Sequence, residues 1–303
     1  MNERAGVPIA ILSSSLGGLA AVATRFIVDV ADPITIAAFR FGGGALLLVP
    51  IALLSRCRWP QRRDWVGTVL LGLMFFALFF IVYNLSLAFT TVARATLALS
   101  TLPLLTMLVA AALRAEALTA RKTGGVLIAM GGVALALLAG LGTAPDGAWR
   151  GDLLMIGGTL AMAFYNVWSR PFIARSSPLG FVAASMGAGG AALVLTALWH
   201  GGFAVLPGFG TPQWLAAAYL AVFGGAGAFY LWILALQLTT PTRVASTMAV
   251  NPLAASAGAA LVLGERFGLN VVVGIVAVFL GIWIASTTAR PPAGLNAKDG
   301  RND

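Results

Sequence analysis

Charged residues are missing from long stretches of this chain and crowd into the gaps between them. Apolar runs of about 20 residues recur at 8–28, 33–54, 65–88, 93–113, 120–140, 151–172, 178–199, 212–237, 242–263 and 270–289. A run of that length spans a bilayer as a helix, and a helix satisfies its backbone hydrogen bonds within one segment, as lipid requires. The pattern predicts an all-α integral membrane protein with ten transmembrane helices and no aqueous domain. The polar stretch at 290–303, with Pro291-Pro292 and mixed charge, reads as a disordered cytoplasmic tail.

The runs are not independent. Residues 65–137 match residues 214–286 at a constant offset of 149. Trp65 pairs with Trp214, Phe80 with Phe229, Thr90-Thr91 with Thr239-Thr240 and Arg94 with Arg243. Pro103 pairs with Pro252, Glu116 with Glu265, Gly125 with Gly274 and Gly132 with Gly281. Upstream an offset of 145 relates Arg25 to Arg170 and Pro33 to Pro178. The chain therefore divides into two five-helix units, 1–143 and 144–289.

Charge sets their orientation. With the N terminus inside, fourteen basic residues face the cytoplasm and four face outward, so both termini are cytoplasmic. An odd number of spans inserts the second unit upside down. The gap at 55–64 carries four arginines and its counterpart at 200–211 carries none, as inversion requires. A 5+5 inverted-topology repeat points to a carrier whose site lies between the halves.

The chain is 59% hydrophobic and 10% charged, with mean hydropathy +0.93 and net charge +9. That basic excess sits beside membrane ends, so it sets topology and does not point to nucleic acid. Cys57 and His200 are the lone residues of their types, which excludes an internal disulfide and a histidine metal cluster. No phosphate-cradling loop with a Walker lysine is present, against an ATP-driven pump. No cofactor and no metal are expected.

The segments Thr90-Thr91-Val92-Ala93-Arg94…Pro103…Glu116 and Thr239-Thr240-Pro241-Thr242-Arg243…Asn251-Pro252…Gly264-Glu265, with the inverted repeat, resemble the drug/metabolite transporter superfamily and its EamA-type exporters. Within it the overall pattern is most similar to the aromatic amino acid exporters of the YddG type. Ala115 stands where the family pattern has a glycine before the glutamate, which leaves one helix-end turn open. The resemblance implies a central cavity lined by spans 1, 3, 4, 6, 8 and 9, with spans 5 and 10 at the periphery.

All ten acidic residues lie in loops or at span ends. Proton-coupled carriers use ionisable relays within the membrane, so gradient-driven export without proton coupling is the expectation, with Asp29 and Glu265 as the residues to revisit otherwise. Arg40 is the one charge inside a span, about seven residues and roughly 10 Å below its outer end. It is read three ways: a cap on backbone carbonyls, a partner for a substrate carboxylate, or half of a gating pair with an outer acid.

Pro103 and Pro252 each fall about ten residues into their spans and predict paired kinks that serve as hinges. Phe76, Phe80 and Tyr83 share a helical face in span 3, followed by Asn84. Gly157, Ala161, Phe164 and Trp168 form a stripe in span 6, beside Tyr165. Trp168 and Trp232 lie toward span ends, where interfacial belts form. Tyr230, Ser14, Ser100 and Asn251 complete a candidate substrate-binding set. These residues suggest an amphipathic cavity for an aromatic or bulky apolar solute. The expected protein is a multi-pass secondary exporter of small amphipathic metabolites, aromatic amino acids foremost, in a bacterial cytoplasmic membrane. Its partners are the solute and the lipid bilayer, and a monomer suffices. Other amino acids, nucleosides or drugs are the rival cargoes, possibly with proton coupling. A membrane scaffold or receptor is the rival without transport.

Overall fold

The structure is a computed structural model and describes residues 3–136, 146–263 and 269–286. These residues are helical, and there is no strand among them. In the first half the elements are α1 (Glu3–Arg25), α2 (Pro33–Ala37), α3 (Gly43–Leu54), α4 (Trp65–Gly72), α5 (Phe80–Leu87), α6 (Val92–Leu99), α7 (Leu102–Ala112) and α8 (Ala120–Ala136). In the second half they are α9 (Ala148–Arg175), α10 (Pro178–Trp199), α11 (Thr211–Tyr219), α12 (Ala228–Leu238), α13 (Pro241–Ser246), α14 (Val250–Leu263) and α15 (Leu269–Ser286).

Several helices join into longer rods through π turns at Ala38–Gly42, Leu73–Phe79 and Leu220–Gly227. Seven rods are long and apolar enough to cross a membrane: Ala5–Arg25, Pro33–Leu54, Arg62–Leu87, Arg94–Ala112, Pro178–Trp199, Thr211–Leu238 and Pro241–Val262. The described residues of the other three runs that the sequence marks as spans are helical too. α9 carries Arg150, Asp152, Arg170 and Arg175 among its 28 residues. α15 is apolar along Leu269–Ser286.

Polar residues before proline start the rods. Asp32 precedes Pro33 and accepts hydrogen bonds from the Ile34 and Thr35 amides at 2.9 and 3.1 Å. Ser177 precedes Pro178 and accepts from Gly180 N at 3.1 Å. Proline at the first helical position costs nothing, because its missing N–H would have no partner there. Burial pushes the Asp32 carboxyl up, but hydrogen bonds from Thr35 and Ile34, with His200 nearby, outweigh it and hold it below the usual carboxylate range. Asp32→Ala is therefore expected to cost about 0.5–2 kcal/mol, measured by thermal unfolding at neutral pH. The sign follows from the lowered value: this contribution is complete above the ordinary carboxylate pKa of 3.8 and is lost as pH falls through the lowered one.

The halves interlock. α1 packs on α12 and α14, while α9 packs on α5, α6 and α7. α3 and the Ala38–Gly42 turn lie against both α10 and the Leu220–Gly227 turn, and α10 continues onto α4 and the Leu73–Phe79 turn. α8 and α15 pair along their length. Glycines make the crossings tight. A Cβ on Gly72 would sit 2.1 Å from Ser185 O, and one on Gly125 would sit 2.7 Å from Gly281 O. Small residues give membrane helices the backbone contact that lipid offers no hydrophobic force to replace.

Both proline-bearing rods are broken, though not by the prolines alone. α6 ends at Leu99, and Ser100 and Thr101 turn their hydroxyls back to Leu97 O and Ala98 O at 2.6 Å each. Pro103 then sits in the first turn of α7, where it needs no donor. In the second half the break is a 3-10 turn at Thr247–Ala249, ahead of Pro252 in α14. The turn after α7 places its positive φ on Arg114, at 55°, and not on Ala115.

Candidate functional site

Aromatic side chains from four rods, three of them carrying π turns, meet in one place. Phe41, Phe75, Phe76, Tyr165 and Phe229 are buried and in ring contact. Phe75 stacks on Tyr165 at 4.5 Å between centroids. Phe229 meets Phe76 at 5.1 Å, Phe75 at 5.4 Å and Phe41 at 5.5 Å, all edge-on. Such pairs are worth about 0.5–1.5 kcal/mol each beyond the area they bury. A π turn inserts one residue into a helix and rotates the following side chains, a distortion found often at functional sites. Phe75, Phe76 and Phe79 lie within one of these turns, and Phe41 within another.

The cluster has one polar rim. Phe80 lies 4.4 Å from Phe41 and 6.5 Å from Tyr83. Phe80, Tyr83 and Arg40 are half-buried, while Phe41, Phe75 and Phe76 beside them are wholly buried. The Arg40 guanidinium lies 5.3 Å from the Phe41 ring and 5.7 Å from both Phe80 and Phe229. Its Nε donates to Gly224 O at 2.9 Å. Tyr219 and Tyr83 are the titratable groups that feel its charge, and the Tyr219 hydroxyl donates to Leu16 O at 3.3 Å. A cation held over ring faces gains about 0.5–2 kcal/mol, which offsets part of its desolvation.

Hydroxyls of α1 tie this region to the broken rod. Ser13 donates to Ala228 O at 2.7 Å, and Ser14 lies 3.0 Å from the Thr247 hydroxyl in the 3-10 turn. Asn251 is half-buried against α1, where a Cβ on Gly17 would come within 3.0 Å of its amide nitrogen.

The structure thus brings together Phe76, Phe80, Tyr83, Tyr165 and Arg40, with Ser14 and Asn251 on α1 and the broken rod, while Tyr230 is half-buried against the same core. Phe76 and Tyr165 are fully buried and present no open face in this conformation. Ser100 bonds to its own helix. Trp168 stands apart: it is 48% exposed, and its ring partner is Phe164 at 4.9 Å. The same stripe supplies Gly157 and Ala161 to an open apolar groove of about 710 Å³ shared with Leu78, Phe79 and Val82. The Asn84 side chain and Glu265 lie outside the described residues. Trp232 is no belt residue: it is 2% exposed, and its indole N–H donates to Asn166 Oδ1 at 3.0 Å.

Sequence reasoning missed Phe41 and the π turns. One signal was available: Gly224-Gly225 in the second copy align with Phe75-Phe76 in the first, so opposite ends of the repeat carry bulk and space.

Ionic contacts hold the rod ends. Arg175 makes a two-pronged bond to Asp64 at 2.8 and 2.9 Å. Glu116 accepts from Thr242 N at 3.0 Å and from Lys122 at 2.8 Å. Asp152 accepts from Thr90 at 2.8 Å and from Arg94. His200 lies 3.8 Å from Asp32. Among the described residues no group of three or more His, Cys, Asp or Glu is placed to hold a metal ion.

The profile of the EamA-like transporter family matches this chain over residues 4–138 and again over 149–287. The uncharacterized transporter YyaM of Bacillus subtilis (strain 168) is 25% identical over 276 residues, covering 88% of this chain and 89% of that protein. A solved crystal structure shares the fold with a TM-score of 0.80 at 22% identity, covering 93% of this chain and 96% of the other.

Proposed function

Because the chain belongs to the EamA-like transporter family, we propose that it is a secondary exporter of small aromatic, amphipathic solutes, with aromatic amino acids as the leading cargo. It is a multi-pass membrane protein, which we assign to the bacterial cytoplasmic membrane with both termini inside. The observation that carries the reading is the aromatic cluster with Arg40 and Tyr83 at its edge. Ligand sites of this kind are mostly apolar, with a few polar groups that fix orientation.

Alternating access follows from two inverted units, 1–143 and 144–289, rocking about the cluster. Their correspondence is supported by position. π turns fall in matching rods at Leu73–Phe79 and Leu220–Gly227, and breaks fall at Ser100–Thr101 and Thr247–Ala249. α1 packs on second-half helices as α9 packs on first-half helices. The ionic contacts agree with the orientation read from charge. Asp64–Arg175 and Glu116–Thr242 join ends assigned to the cytoplasm, and Asp152–Arg94 and Asp32–His200 join ends assigned outward.

Transport without proton coupling is the companion proposal. The carboxylates of Asp64, Glu116 and Asp152 are engaged at rod ends, and Asp32 is held ionised far below neutral pH. A test in cells is efflux. Cells loaded with labelled tryptophan or phenylalanine are expected to lose label several-fold faster when they carry the protein, and Tyr83→Ala is expected to remove most of that gain. Equal efflux with and without the protein for both solutes would sink the cargo assignment.

A further inference from the structure

Arg40 is tied down by one donor and left open on the others. A guanidinium has five N–H donors in a planar fork. Nε is used on Gly224 O. Among the described residues the terminal nitrogens meet no protein acceptor and no carboxylate, and the titratable groups that feel the charge are the phenols Tyr83 and Tyr219. The side chain keeps part of its surface accessible, while Phe41 beside it is wholly buried. A charge at this depth is costly without an opposite charge or a wet cavity. The rings of Phe41, Phe80 and Phe229 answer part of that cost but cannot accept the fork's hydrogens in its plane.

The arrangement is also fixed in place. Gly225 lets the Arg40 backbone lie against the Leu220–Gly227 turn, where a Cβ would sit 2.2 Å from Arg40 O. Nε is bound, so the terminal nitrogens point as a pair. That pair matches the two oxygens of a carboxylate.

We infer that Arg40 is an anion subsite and that the solute class it selects is the aromatic carboxylate. The inference rests on the reading above that the aromatic cluster takes a solute. No described carboxylate pairs with Arg40, so a free ammonium group on the solute gains no ionic partner beside it. Acids are preferred over the matching amides, and an amine lacking the carboxylate is not held.

The test uses the whole protein in phosphatidylcholine nanodiscs with matched pairs: indole-3-propionate against indole-3-propionamide, and phenylalanine against phenylalaninamide. Ligand-induced shifts in the thermal unfolding midpoint, read by light scattering, give apparent affinities. Each acid is expected to bind at least tenfold more tightly than its amide. Arg40→Gln is expected to erase the difference, and Arg40→Lys to keep only part of it, since an ammonium lacks the fork. Equal acid and amide binding to the unmodified protein would overturn the subsite, and so would a preference that survives Arg40→Gln. The unmodified pair and Arg40→Lys decide the matter if Arg40→Gln does not fold. A carrier that moves tryptophan with no preference for acids refutes the subsite and keeps the transport reading. A preference for acids without tryptophan movement supports the subsite and refutes the amino acid assignment.

Discussion

Gly225→Ala is expected to abolish transport and to lower the unfolding midpoint sharply. The added methyl would sit 2.2 Å from Arg40 O and 3.1 Å from Leu220 O. Both obstacles are backbone, so no side chain can swing away. Overpacking costs typically 1–3 kcal/mol and occasionally more, and here the rods must part, so we expect about 3 kcal/mol. The damage is also functional, because the same contact sets the position of Arg40 and Phe41 against Phe229. Two neighbours supply controls. Gly224→Ala meets Ala20 Cβ at 3.0 Å and Arg40 Nε at 3.6 Å, a milder crowding. Gly157→Ala has nothing within 4 Å and is expected to behave as the unmodified protein. Thermal unfolding of all three in the same detergent checks the order. A Gly225→Ala protein that melts with the unmodified one would contradict the close crossing.

Glu116→Ala is expected to be at least as destabilising. This side chain is 4% exposed, accepts from Thr242 N at 3.0 Å and is paired with Lys122 at 2.8 Å. Thr242 lies in the first turn of α13, where the amide has no partner within its own helix. Removing the carboxylate leaves that amide and the Lys122 ammonium unanswered at once. Breaking a buried pair by deleting one partner costs about 3–5 kcal/mol. Glu116→Gln keeps an acceptor for Thr242 N and is expected to lose less than half as much. If Ala and Gln variants unfold at the same temperature, the bond to Thr242 is not what Glu116 supplies.

The sequence was most legible where one signal was repeated. Apolar run length, the 149-residue offset and the basic gaps all bear on the same rods, and the rods at 33–54, 178–199 and 212–237 match helices within a few residues. The Pro103 and Pro252 alignment located two breaks, but the local hydroxyls of Ser100 and Thr101 shape the first as much as the proline does. The π turns were not legible, because a one-residue insertion leaves no mark in an apolar run. One of them interrupts the ideal spacing between Phe76 and Phe80, which still share Phe41 as a ring neighbour. Leu73–Phe79 is under-wound relative to an α-helix, Phe76 is wholly buried, and Phe80 and Tyr83 are half-buried. Trp168 shows the opposite limit. A stripe of small and aromatic residues reads the same toward a cavity as toward a groove on the bundle. Arg40 was legible as an anomaly, since a lone charge in a span demands an explanation. Its rings and its Gly224 acceptor needed the fold.

The most direct test of the central claim is counterflow of labelled tryptophan and phenylalanine into proteoliposomes preloaded with unlabelled solute, with and without an imposed pH gradient. The account predicts saturable uptake that requires the preloaded solute and is unchanged by the gradient. Uptake no greater than in protein-free liposomes would contradict the assigned cargo, and uptake that follows the gradient would contradict transport without proton coupling.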